Sequence, residues 1–268
     1  MTRAVILAHR LGADPEVVLV KGEHPGLHWG VGFGLPGVTV HASDALSPRT
    51  GRAGQAGAGA VAALRALFTS TGLLVAEGED LPGSGEREWL REGFGADVEQ
   101  GAKRFAELGL SWSTDRVERL AVRRARGDAL REETLILGVE LDELEAQEAG
   151  ALLVTDTLAR WATGDIALAD FVPTLLRRAE THQLDHLPLD AEDAHEPAPG
   201  ILMRPVRSPT LPPAAHTNIF LVGGRTAVLI EPATPFEDEL DAICEWVEEV
   251  EADGTHVIAI CATHHHPD

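Results

Sequence analysis

Cysteine is nearly absent. Cys244 and Cys261 are the chain's two, and no Cys-x-x-Cys spacing occurs. That excludes a disulfide scaffold and a cysteine-ligated zinc motif. Both lie among apolar residues and are expected as small core hydrophobes. Basic residues are also scarce, 22 Lys and Arg against 43 Asp and Glu, for a formal net charge of -21. Such a surface repels phosphate backbones and anionic headgroups, so neither nucleic acid nor membrane is expected as a partner. An anionic substrate would need a local cation, either a bound metal or an arginine cluster. No apolar run reaches the length of a membrane span. The opening Arg3-Ala4-Val5-Ile6-Leu7-Ala8 is too short for a signal sequence and reads as a strand. The expected location is cytoplasmic. Gly30, Gly32, Gly34 and Gly37 do not open a helix with Gly-x-Gly-x-x-Gly spacing, which removes a dinucleotide fingerprint.

What remains is enough for a folded protein. The 268 residues, 44% of them hydrophobic, suffice for one large or two ordinary domains with buried cores. Arg3–Ala8 and Glu16–Val20 form a hairpin-like pair of β-rich runs around Gly12-Ala13-Asp14-Pro15. Residues 43–59, rich in Gly, Ala and Ser, are expected as a loose insertion. Ala60–Thr71 carries Val61, Leu64, Leu67 and Phe68 at helical spacing, with Gly72 as the stop. The next strand is expected to start at Leu73. Residues 86–126 read as charged and helical, with Trp89 as a packing point and Trp112 as a further buried ring. Leu135–Val139 is predicted as a strand, and Thr157–Trp161 and Asp170–Ala179 as helices. Between Leu187 and Pro213 lie seven prolines. This places a domain at 1–185, a linker at 186–200 and a second unit at 201–268. In the second unit, Ile201–Val206, Asn218–Val222 and Thr226–Ile230 read as strands. Pro235–Val250 reads as a helix with Leu240, Ile243, Val247 and Val250 on one stripe, and His256–Cys261 as a last strand. Its run Glu237-Asp238-Glu239 is expected on a solvated face. The fold class is therefore α/β (α+β).

The first unit resembles the Nudix domain, in its longer coenzyme-A-associated form. Gly34-Leu35-Pro36-Gly37-Val38 is similar to the family's Pro-Gly-Gly turn, and Arg65-Ala66-Leu67-Phe68-Thr69-Ser70-Thr71-Gly72-Leu73 to its helix pattern Arg-Glu-x-x-Glu-Glu-x-Gly-x. The resemblance implies an α/β/α sandwich. It also implies magnesium ligands at three positions that here hold Ala66, Thr69 and Ser70. A hard ion wants carboxylates, and none of these supplies one. Magnesium is not expected, and Asp44 is the one acid that could replace a missing carboxylate.

The chain closes on Thr263-His264-His265-His266-Pro267-Asp268, directly behind the last predicted strand. His264, His266 and Asp268 alternate along the chain, and imidazole and carboxylate are ligands that a zinc-like ion prefers. Strand, strand, helix, strand and then Thr-His-x-His-x-Asp resemble the N-terminal half of a metallo-β-lactamase αβ/βα sandwich. The resemblance implies a hydrolase that uses water against an ester, thioester or phosphodiester of a small molecule. It implies His264 and His266 as ligands of a first zinc ion. Asp268 would be the ligand of a second and the catalytic orienter of the attacking hydroxide. Glu231 stands where the family often has an Asp that supports the ligand loop. The family's further ligands would lie beyond Asp268, so the chain is expected to be a partial sequence. The alternatives are a non-catalytic Nudix-like module that binds a nucleotide or coenzyme, and a Nudix pyrophosphatase.

Overall fold

Thr2–Arg10 is the spine of the first sheet. Its alternate side chains are buried on opposite faces, Ala4, Ile6 and Ala8 in one core and Val5 and Leu7 in another. A strand buried on both sides reads as a continuous apolar run, which is why it is plain in the sequence. The computed structural model describes residues 2–22, 31–51, 54–124, 133–169, 171–184, 195–209, 216–252 and 254–264.

In chain order the first unit comprises β1 (Thr2–Arg10), β2 (Glu16–Val17), β3 (Val20–Gly22), β4 (Gly32–Gly34), β5 (Gly37–Thr39), α1 (Ala42–Leu46) and α2 (Gly54–Thr71). It continues with β6 (Ala76–Glu77), α3 (Ser84–Ala96), α4 (Val98–Glu107), β7 (Ser111–Trp112), β8 (Val117–Arg124) and β9 (Glu133–Glu140). It closes with α5 (Glu143–Ala149), β10 (Leu152–Leu153), α6 (Val154–Ala162) and α7 (Val172–Glu180). The main sheet runs β10-β2-β1-β9-β8, with β5 also paired to β1. β1 and β9 are parallel in the register His9↔Glu140, and β2 and β5 are antiparallel to β1.

Helices cover both faces. On one, α2 places Val61, Leu64, Leu67 and Phe68 at 1% exposure or less. Burying a side chain as large as Phe68 stabilises the fold by roughly 1.5–3 kcal/mol. Trp112 stacks on Phe105 with 4.3 Å between centroids, and Phe68 and Phe94 close the cluster. On the other face, Trp161 of α6 and Val172, Leu175, Leu176 and Ala179 of α7 are buried with Val5 and Leu7.

The second unit holds β11 (His195–Ala198), β12 (Ile201–Arg207), β13 (His216–Gly223), β14 (Thr226–Ile230), α8 (Glu237–Ala252) and β15 (His256–Cys261). Its sheet follows chain order, antiparallel until β14 and β15, which are parallel and joined through α8. Ile243 and Trp246 of α8 share a core with Val206, Ile219, Leu221, Ala227 and Leu229. Arg177 of α7 pairs with the buried Glu196 of β11, at the seam of the two units.

Several expectations are corrected. Residues 117–124 are a strand, not helix, because β9 supplies a partner that the charged sequence hides. The stretch read as a loose insertion contains α1 and the first turns of α2. Leu73, Leu74 and Val75 are buried without being strand, and β6 begins at Ala76. Part of the expected linker, 195–198, is an edge strand; residues 186–194 of it lie outside the described residues. Both cysteines are exposed, Cys244 on the outer side of α8 and Cys261 at the end of edge strand β15. Trp246, rather than the 41%-exposed Leu240, fills the α8 stripe. Glu239 is buried because Arg207 reaches it, Nε to Oε1 at 2.8 Å. Trp89 is partly exposed and carries the Arg104 guanidinium over its ring.

Candidate functional site

Helix α2 positions the first candidate site. Its Arg65 is 5% exposed and turns back toward α1, where Asp44 is 1% exposed. The guanidinium donates from Nε and Nη2 to the two oxygens of Asp44, each at 2.9 Å. The His41 backbone N–H adds a third bond to the carboxylate at 2.8 Å. Arg65 Nη2 also reaches the Thr39 carbonyl at 3.3 Å. With every strong partner inside the protein, this pair clamps α1 and the end of β5 onto α2. Buried this deeply, it offers nothing to a ligand. Asp44 therefore braces the helix, and its place is set by a local signal. His41-x-x-Asp44 has capping-box spacing, with the His41 ring accepting from Ser43 N–H at 3.2 Å. A histidine in place of Ser or Thr masks that signal in the sequence.

Helix α2 bears no carboxylate at the three positions in question. Ala66 is fully buried. The Thr69 hydroxyl donates to the carbonyls of Arg65 and Ala66 at 2.9 and 3.2 Å, and Arg91 holds the Thr69 carbonyl at 3.1 Å. Ser70 is exposed. Among the described residues no group of three His, Cys, Asp or Glu is spaced to hold a metal ion. Among them too, no helix is long and apolar enough to cross a membrane.

The second candidate site is the loop after β15. Of its three expected ligands, His264 is described and exposed, whereas His266 and Asp268 lie outside the described residues. Glu231 follows β14, which neighbours β15, and its backbone has φ 55°, a left-handed conformation unusual for this residue type. Its own N–H donates to the Cys261 carbonyl at 2.9 Å, and its carboxylate accepts the Thr263 backbone N–H. Hydrogen bonds from the Thr263 side chain and then from its backbone hold the Glu231 carboxyl below its usual range. The His264 ring lies next to this carboxylate, Nδ1 at 3.8 Å from Oε1, and 2.9 Å from the Thr263 hydroxyl. An acidic side chain thus braces the histidine loop from the neighbouring strand.

No family model matches the sequence, and no curated protein matches it. The crystal structure of a NUDIX hydrolase from Alicyclobacillus acidocaldarius does match, with a TM-score of 0.53 and 18% identity. The match covers 70% of this chain and 96% of that one. Over that span the chain has the NUDIX hydrolase fold. The match speaks for the Nudix expectation and carries nothing for the metallo-β-lactamase one. At this identity it bears on the fold, so the chemistry of the Nudix helix has to be argued from its own residues. Those residues keep the arginine brace and lack the acids.

Proposed function

We propose that the N-terminal unit is a Nudix-fold module that binds a nucleotide- or coenzyme-type small molecule without hydrolysing it. The observation that carries this reading is the state of α2. The Arg65–Asp44 pair is intact and buried, while Ala66, Thr69 and Ser70 stand where magnesium-binding carboxylates are expected. Activating water at a diphosphate needs a hard cation held by oxygen anions, and neutral hydroxyls, that of Thr69 already turned onto its own helix, are poor substitutes. Titrating the whole chain with ADP-ribose and with coenzyme A by calorimetry, alongside a magnesium-dependent phosphate-release assay, tests it. Saturable binding with no release is expected. Magnesium-dependent cleavage would refute the non-catalytic reading and favour a Nudix pyrophosphatase.

The brace at Glu231 favours a second reading for the second unit, a metallo-hydrolase half-site of metallo-β-lactamase type. His264 and His266 would hold one zinc ion, and Asp268 would hold a second and orient the attacking water. The donor set suits zinc, since imidazole and carboxylate are borderline and hard ligands. Bound zinc would supply a hydroxide near neutral pH for attack on an ester, thioester or phosphodiester. Metal analysis after dialysis against zinc is the direct check. Retention by the parent chain and loss in His264→Ala and His266→Ala is the supporting result; equal zinc content in all three chains defeats it.

A further inference from the structure

Near the far end of β1, His9 is 4% exposed, and neither ring nitrogen has a hydrogen-bond partner among the described residues. Leaving a buried polar group unpaired costs on the order of 1–3 kcal/mol. The residue floors an open cavity of about 400 Å3, whose walls include Asp115, Arg116, Glu118, Glu140 and His182. That volume lies in the range of small-molecule sites. His182 follows Thr181, the C-cap of α7, with a left-handed backbone, φ 55°, at a position where glycine would be the easy choice.

The charges in this cavity do not cancel. Arg116 gives both terminal nitrogens to Glu145, each at 2.7 Å, and one also meets the Glu140 carbonyl at 2.8 Å. Asp115 accepts from the Thr50 hydroxyl. Glu118 and Glu140 are exposed and have no ion pair among the described residues. Burial holds His9 below its ordinary pKa, with Glu140 opposing the shift, so the ring is neutral near pH 7 and keeps one acceptor nitrogen. Anionic walls above an unused acceptor match a molecule that brings positive charge and N–H donors together. A bare metal ion fits poorly, since no three ligands among the described residues are spaced for one.

We propose that this cavity binds a small organic cation, an ammonium- or guanidinium-bearing metabolite, held between Glu118 and Glu140 above His9. The site is separate from the α2 face. Arg65 reaches Thr39, which pairs with Arg3, six residues before His9 along β1. At about 3.3 Å per residue that is a separation of roughly 20 Å.

The test is calorimetric titration of the whole chain with agmatine, with uncharged 1,4-butanediol as comparator. Saturable agmatine binding is expected, with no response to the diol. Glu118→Gln and Glu140→Gln, both at exposed positions, are each expected to weaken binding about tenfold, a loss of about 1.4 kcal/mol. The His9 ring nitrogen resonances should move on addition of agmatine, a response that a purely structural histidine would not give. No saturation, equal binding of the diol, or affinity unchanged in both glutamine variants would each overturn the proposal. Nucleotide or coenzyme binding should be the same in the two glutamine variants as in the parent, so its failure would be a separate result.

Discussion

Arg65 and Asp44 illustrate how one residue type can carry two different meanings. In the sequence Asp44 is a candidate replacement for a missing metal ligand; in the fold it is the counter-ion that makes a buried guanidinium tolerable. Removing one partner of such a pair leaves an uncompensated buried charge. Asp44→Ala should therefore cost about 3–5 kcal/mol in urea unfolding, and replacing Arg65 by Met in the same chain should recover much of that loss. A catalytic acid would behave otherwise, losing activity with little change in stability. His9 leads to a prediction about pH. Its folded pKa lies below the ordinary 6.5, chiefly through burial, with Glu140 working the other way. The unfolded chain then binds the proton first, so stability is full above pH 6.5 and falls as pH drops toward the folded value. The slope cannot exceed about 1.4 kcal/mol per pH unit for one proton. Glu145, held below its ordinary 4.5 first by the Arg116 hydrogen bond, loses its contribution only at lower pH, which separates the two windows. Urea midpoints measured across the upper window should flatten in His9→Gln and stay sloped in the parent.

At the scale of elements, legibility followed burial. β1 and α2 were readable because one is buried on both faces and the other carries an unbroken apolar stripe ending at Gly72. β8 was not. Its charged residues dilute the alternation, and a register shift between Arg119 and Ala121 breaks the period of two. β11 hid behind Pro197, which an edge strand tolerates. The contact of α3 with α4 was equally hidden, because it depends on a missing side chain. A Cβ on Gly101 would lie 2.1 Å from Phe94 Cδ1, and Phe94 is packed against Trp112. Gly101→Ala raises helix propensity yet should destabilise by about 1–3 kcal/mol, the cost of overpacking. Thermal unfolding followed by circular dichroism decides the sign; a gain in stability would mean that the helices can separate freely.

For the whole molecule, the Nudix resemblance was legible in the turn at residues 34–38 and in the helix around Arg65, and the structural match bears it out as a fold. The histidines were legible as a pattern and Glu231 by resemblance as their support, while the left-handed backbone that turns Glu231 toward them is something no sequence pattern displays. The cavity at His9 was illegible for a related reason, since its walls come from β1, β8 and the turn before it, β9 and the segment that follows α7. The two units also differ in what holds them together. The buried clusters of the first draw on residues 4–184, that of the second on residues 206–246, and they share no residue. Among the ties across the seam, Arg177 to Glu196 joins a half-exposed arginine to a buried carboxylate, and solvent at the arginine weakens what the pair contributes. Among the described residues the second core contains seven buried ones, so its sheet has the smaller hydrophobic reserve. Calorimetric unfolding should therefore give two transitions, with the second unit melting first. A chain ending at Leu184 should retain the upper transition at nearly the same temperature. Glu196→Gln should leave it unmoved, because Glu196 belongs to the second unit, where its other oxygen accepts the Gly200 N–H at 2.8 Å. A single cooperative transition, abolished by the truncation, would mean that the two sheets fold as one unit and that the seam carries far more energy than its ion pair accounts for.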